Sequence, residues 1–325
     1  MLLLAGCAAV CVSGWTQTVT ETSPRIQSEA RVPSASRDAQ QSVDNSAPAE
    51  ASRDRPLPDI AAMMHDVETN QRKAETVERD YIYHSVKTEQ ELDGHGQIKK
   101  TTVTESDHFW VNGVPVRRLV KKDGKALTPD EIAKENERID KVAAKARDKR
   151  DKADDKGKET DSRGNEEVTV SRLLELGAFT NARRVQLSGR DTIAVDYAGN
   201  PKAKTRNRSE DVIRDLVGTA WIDEQDHVLA RVEGHFANAF KIGGGLIANI
   251  QKDTRFSVVQ TKVNNEVWLP ARLEGQGAAR AMLFFSFNGS GQIVNSDYRK
   301  FRTTSTILPG VTRVGSPEAP DSAEP

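Results

Sequence analysis

From Phe179 to Thr304 the chain alternates apolar and polar residues in short runs separated by polar turns, with little room for crossovers. A parallel strand needs a connection of a dozen or more residues, so this run points to a meander of antiparallel strands. FTNARRVQLSG and DTIAVDYAG form one hairpin. After a basic loop and a short helix capped by Ser209 come TAWIDEQDHVLARVEGHF, KDTRFSVVQTKVNNEVWLPARLEG and ARAMLFFSFNGSGQIVNSDYRKFRTT. Their turns are expected at Asp223–Asp226, at Asn264-Asn265 and at Asn288–Gly291. Upstream, YIYHSVKTEQEL and IKKTTVTESDHFWV flank DGHGQ, and VPVRRLVKK follows a tight turn at Asn112-Gly113. The sum is about ten strands, enough to curl into a large open or nearly closed sheet.

Helical segments are few. Ile60, Met63, Met64 and Val67 make one apolar stripe in a helix expected over Leu57–Glu78. Thr128, Pro129 and Glu131 spell a capping box with proline at the first helical position. Ile132, Ile139 and Val142 continue that helix as a thin stripe, and Arg147–Glu159 is almost all charge. Val168–Leu176 reads as a second short helix closed by Gly177.

The two ends differ from the middle. Leu2–Val12 is an apolar run of leader length, too short to span a bilayer. Either Leu4-Ala5-Gly6-Cys7 is a lipobox whose Cys7 becomes lipidated, or Val12-Ser13-Gly14 ends a plain secretory signal. No Lys or Arg precedes Arg25 and only six residues precede Cys7, which points to a true start further upstream. Residues 15–55 hold few large apolar side chains and form a disordered linker; 306–325 form a tail of the same character. The folded part is expected over 56–305, with a charged helical insertion at 128–164. Cys7 and Cys11 are the two cysteines, so the folded part has no disulfide and no thiolate site.

Polar chemistry is thin. Lys+Arg 47 nearly cancels Asp+Glu 48, so no field favours nucleic acid. The chain has no HExxH, GxSxG, P-loop or GxGxxG motif, and its six histidines are scattered. Neither a metal nor a cofactor is implied. His84 and His108 are placed to face each other across the first hairpin, as a surface pair. The basic loop Lys202, Lys204, Arg206 and Arg208 is a solvated loop or an encounter patch for anionic headgroups. Gly243-Gly244-Gly245, set among Phe240, Ile242, Leu246 and Ile247, is a flexible connection or a flap over a cavity mouth. AMLFFSF puts Met282, Phe284 and Ser286 on one face and Leu283, Phe285 and Phe287 on the other. Both faces are apolar, so the segment is either a central core strand or the lining of an apolar cavity.

Certain patches carry a family resemblance. GTAWIDEQDHVLARVEGHF (Gly218 to Phe236) resembles a strand pair of the LolA/LolB-like periplasmic lipoprotein carriers. NNEVWLPARLEG (Asn264 to Gly275) is similar to the hairpin that follows it there, and GVPVRRLVKKDGKALTPDE resembles envelope proteins of the same broad class. The resemblance implies an α+β fold: a strongly curved antiparallel sheet, an incomplete barrel, wrapped around a few helices. It also implies a groove that holds lipid or lipoprotein acyl chains; the missing catalytic motifs add a non-enzymatic protein, the leader a place in the periplasm or outer membrane, and the basic loop the membrane surface as a further partner, for a chain expected to be a monomer. Large apolar side chains suit acyl chains, so the expected groove residues are Trp110, Trp221, Phe236, Phe256, Trp268, Met282, Phe284 and Phe285. The alternative is an envelope scaffold whose core is filled and holds no ligand.

Overall fold

A computed structural model of the chain describes residues 55–301, except 156, 158–159, 161, 163–167, 243–247 and 282–284. Side chains at 208, 240–242, 248–249, 279–281 and 285–287 are outside that description as well. The expectations placed on the leader with Cys7, the tail, Gly243-Gly244-Gly245, Met282 and Phe284 therefore lie outside the described residues.

Helix α1 (Ile60–Glu78) begins where Asp59 Oδ1 accepts from Ala62 N, and it buries Met63, Met64 and Val67. Strands β1 (Tyr81–Leu92), β2 (Ile98–Val111), β3 (Val114–Lys122) and β4 (Lys125–Ala126) follow as hairpins. Helix α2 (Pro129–Asp154) carries the expected capping box and runs past Ala146 to bury Ala153. Next come α3 (Val170–Leu176), β5 (Gly177–Leu187), β6 (Arg190–Gly199) and α4 (Arg208–Arg214). Asn207, not Ser209, caps α4 by accepting from Glu210 N. The chain then forms β7 (Leu216–Asp223), β8 (Val228–Phe236), β9 (Phe240–Ile242), β10 (Ala248–Ile250), β11 (Arg255–Val263), β12 (Val267–Ala281) and β13 (Phe285–Lys300). Two-residue hairpins need positive φ at both central positions. Asn112-Gly113 (52° and 73°), Asp123-Gly124 (48° and 76°) and Ser188-Gly189 (52° and 76°) supply it.

All thirteen strands join one sheet. Its main path has eleven, in the order β4-β3-β2-β1-β13-β12-β11-β8-β7-β6-β5; β10 pairs the outer part of β12, and β9 pairs β10. The first four strands grow outward from the middle. The later strands run inward from the other edge until β13 meets β1. The expected turn at Asn288–Gly291 is instead the straight middle of β13. The chain reverses between the paired positions Ala281 and Phe285.

The strongly curved, incomplete barrel is not what forms. The sheet is open and neither closed nor strongly curled: β4 and β5 end the path without pairing each other among the described residues. The placement of the helices gives the physical reason. One row across the sheet reads Val195, Ala220, Val232, Val258, Leu273, Ile293 and Lys87, and this defines a front face. Helices α1, α3 and α4 bury Met64, Leu173 and Ile213 against the left part of that face. Helix α2 packs Ile139 and Ala146 on Val114 and Val116, which register places on the opposite face. Helices on both faces flank a sheet rather than fill a concavity. At the edge, β4 is two residues long, and β5 carries a bulge at Asn181 (φ 53°) beside Arg183 and Arg184. Such edges discourage further pairing.

Candidate functional site

Strand register brings an unusual row of residues together on the front face. It reads Tyr197, Gly218, Gly234, Phe256, Gly275, Gly291 and Glu89. The next row on that face pairs Gly277 with Gly289. Glycine inside a strand gives up packing and rigidity, and it leaves backbone open to close approach.

The left pair is filled. A Cβ on Gly234 would stand 2.7 Å from Leu216 Cδ1 and 2.8 Å from the Phe256 ring. A Cβ on Gly218 would stand 2.1 Å from the Glu233 carbonyl oxygen. The Phe256 ring thus lies against Gly234. Gly275 and Gly291 are half-buried, one strand and two strands to its right. Beyond Gly277 and Gly289, register places Ile250, Ala279 and Phe287 in one row and Ile242, Ala248, Ala281 and Phe285 in another row of the same face. From Gly275 to Ala281 is a strip of small residues about 20 Å long at about 3.4 Å per residue.

To the right of the strip the front face turns polar. Asn295, Ser85 and Ser106 form a row, all buried. Ser85 Oγ lies 2.9 Å from His108 Nε2, and Tyr83 stacks on the His108 ring at 4.6 Å. Asn295 Nδ2 donates to the Pro270 carbonyl at 2.7 Å, while its buried Oδ1 has no partner among the described residues. Lys87 Nζ pairs with Glu89 at 2.7 Å. Arg117 sits opposite His108 on β3. His84 and His108 do not face each other: His84 pairs with Asp107, Tyr83 with His108, so the two imidazoles lie on opposite faces. His84 Nδ1 meets Asp107 Oδ1 at 2.9 Å there.

The eight expected groove residues fall into separate surroundings. Phe236 and Phe256 meet in the main core at 6.4 Å between ring centroids. Trp221 lies on the back face, opposite Ala194, with the Arg231 guanidinium 5.2 Å from its ring. Trp268 belongs to a polar cluster: its Nε1 donates to Asp226 at 2.9 Å and Arg190 lies over its ring. Burial works to raise the Asp226 carboxyl, but hydrogen bonds from Lys262 and Trp268 hold it below its ordinary range. Trp110 is half-buried beside Arg79. Phe285 opens β13 at the sheet end, and Met282 and Phe284 lie outside the described residues.

A separate cleft of about 190 Å³ lies between β3 and the start of α2, lined by Leu119, Val120, Leu127 and Ile132. Among the described residues no three of His, Cys, Asp and Glu are grouped to hold a metal, and no helix is long and apolar enough to cross a membrane.

No protein-family model and no curated protein matches the chain. Solved structures give distant likenesses. A protein domain assigned to outer membrane lipoprotein sorting, from Vibrio parahaemolyticus, aligns at 11% identity and a TM-score of 0.35, covering 76% of this chain and 95% of that one. A LolA superfamily protein from Nitrosomonas europaea aligns at 8% and 0.30, covering 74% and 94%. A DUF1329 family protein from Desulfovibrio piger aligns at 8% and 0.29, covering 76% and 96%. The chain is thus similar, remotely, to LolA-like and related proteins. At TM-scores this far below 0.5 the likeness assigns neither family nor function.

Proposed function

We propose that this is a non-enzymatic cell-envelope protein that holds lipid acyl chains, free or on a lipoprotein, against the front face of its sheet. The consecutive glycine pairs Gly275–Gly291 and Gly277–Gly289 carry the reading. The half-buried pair Gly275–Gly291 offers a floor of bare backbone beside Leu273–Ile293, while Thr254 packs over Gly277 and Gly289 is buried. A 30 Å bilayer core allots about 15 Å to each leaflet, so a strip of about 20 Å suits one extended chain. Phe256 lies in the row of Gly275 at the inner end of the strip. Trp110, Trp221, Phe236 and Trp268 are left to packing roles. The leader at 1–14 takes the protein to the periplasm or outer membrane, with Cys7 as the residue a lipid anchor would use.

A second reading, an envelope scaffold with a filled core, is favoured by the close packing of Phe236 on Phe256. Native mass spectrometry with organic extraction, on full-length protein purified without detergent, separates the two. The acyl-chain reading expects a bound mass that extracts as lipid and disappears in Gly291→Leu with the fold intact. A clean apo mass that takes up no added palmitate leaves the scaffold.

A further inference from the structure

The polar part of the front face, beside the glycine strip, has more positive charge than its neighbours answer. Lys87 and Arg117 are two cations on this face, and Glu89 is the one carboxylate in reach of both. Arg138 and Glu135 of α2 stand near Arg117 but pair with each other at 2.7 Å. Lys99 and Glu91, further along the same strands, also pair with each other, at 3.2 Å. The Lys87 side chain is 11% exposed and bonded to Glu89. Arg117 forms no hydrogen bond or ion pair through its guanidinium among the described residues, although Glu89 and Glu135 are near enough to be felt. Burial first, and then Arg138, holds the Arg117 guanidinium below its ordinary value; burial also lowers Lys87, against the hydrogen bond to Glu89. A desolvated cation without a partner is costly, and the ordinary remedy is an anion. One strand from Lys87 and three from Arg117, the Asn295 Oδ1 is a buried acceptor with no donor among the described residues.

We propose that the front face of β1–β3 and β13 binds one anionic group, a carboxylate or a phosphodiester, carried on an acyl chain. Arg117 is its main cation and Lys87 the second. Ser85, fixed by His108, presents a hydroxyl at the same place, and Asn295 Oδ1 accepts from a hydroxyl or amine next to the anion. Lys87 and Arg117 against Glu89 leave net positive charge, and Lys122, which register sets in the row of Lys87, adds to it, so the face suits an anion. The adjoining strip over Gly291 and Gly275 then takes the chain; for the chain, though not for the anion, the inference rests on the acyl-chain reading.

The test measures binding of palmitate, methyl palmitate, phosphatidylglycerol and glycerol 3-phosphate to the full-length protein at low salt. Palmitate and phosphatidylglycerol should bind at least about tenfold tighter than methyl palmitate, the low end for hydrogen bonds to charged groups. Arg117→Met should remove that advantage and leave methyl palmitate unchanged. If Arg117→Met fails to fold by circular dichroism, Lys87→Met carries the same comparison. Asn295→Leu should weaken phosphatidylglycerol alone if a phospholipid is the source, and neither anionic lipid selectively if a fatty acid is. Equal binding of palmitate and methyl palmitate, indifferent to Arg117, overturns the anion site and leaves the acyl-chain reading standing. Arg117-dependent binding of glycerol 3-phosphate with no binding of any acyl compound does the reverse. Failure of every anion to bind overturns the inference.

Discussion

The same front-face row of the sheet holds two glycine pairs that do opposite things. At Gly218–Gly234, glycine is a socket: Leu216 and Phe256 occupy the space a side chain on Gly234 would need, and the Glu233 carbonyl occupies that of one on Gly218. At Gly275–Gly291, both half-buried, the row continues on β1 and β2 with Glu89 and Thr102 rather than rings. Composition is alike and register is alike; the left pair is packed against Leu216, Phe256 and the Glu233 carbonyl, and the right pair continues into a polar row. Glycine in a strand stabilises when an aromatic covers it and becomes a surface for something else when none does. The left part of the sheet is accordingly the packed platform, and the right part is where the proposed acyl chain would lie.

The sharpest way to break that contrast is to add one methyl group. In Gly218→Ala the new Cβ meets a backbone oxygen at 2.1 Å, which no rotamer change relieves. The cost should exceed about 3 kcal/mol, the upper range for overpacking. Urea unfolding would read it as a large fall in midpoint or as loss of soluble protein. A variant as stable as the parent would mean the left pair is not a filled socket.

Next in size is the ion pair that holds the helical layer over this platform. Arg172 on α3 donates to both Glu210 oxygens on α4, at 2.9 and 2.8 Å. The Glu210 side chain is 4% exposed. Arg172→Met leaves that carboxylate buried without its cation, a change that costs about 3 kcal/mol. Because α3 and α4 cover only the left part, thermal unfolding should shift strongly while palmitate binding at temperatures below the transition stays as it was. Loss of binding in proportion to stability would show that the two parts are not separable.

Acid should act through the same groups, more gently. Burial tends to raise Glu210, but the hydrogen bonds from Arg172 and the Arg206 amide win, so its carboxyl lies below the ordinary range. Glu224 is held low first by its hydrogen bond from Arg184. A folded value below the unfolded one gives stability that is complete above the unfolded carboxylate range, about pH 4, and is lost as pH falls through the folded values. Urea midpoints should therefore hold from pH 7 to about pH 5 and decline below about pH 4. Arg172→Met should shrink the decline, and an unchanged decline would assign it to other carboxylates.

How much of this was legible beforehand follows the range of the interactions. Asn112-Gly113, the Thr128 box and the α1 stripe are short-range devices, and the sequence patterns found them. The pairing of β1 with β13 joins residues some two hundred positions apart, and no local signal carries it. The sheet's openness depends on α2 choosing the opposite face, which its thin stripe did not announce. Asn288–Gly291 reads as a turn because asparagine and glycine dominate turns; only pairing reveals a glycine floor. A register shift between Glu91 and Leu92 helps set which face His108 takes, and a one-residue shift reverses faces wholesale. The cations Lys87 and Arg117 are ordinary strand residues until register sets them on one face.

The smallest expected effect is the most discriminating, because its sign decides. Gly291 has no positive φ to protect, so alanine there is free of backbone strain. If the floor around it is open, the added methyl meets no neighbour and the unfolded chain loses freedom. Gly291→Ala should then stabilise by about 0.5 kcal/mol and at most about 1 kcal/mol. If the strip is filled by the protein's own side chains, as a scaffold requires, the same methyl overpacks it and costs about 1–3 kcal/mol. The two expectations lie on opposite sides of zero, so an ordinary urea titration separates them without any ligand. A stabilised variant that also binds palmitate more weakly would place the chain on this floor. A destabilised one would make Gly275–Gly291 a second filled socket, and the contrast with Gly218–Gly234 would be gone.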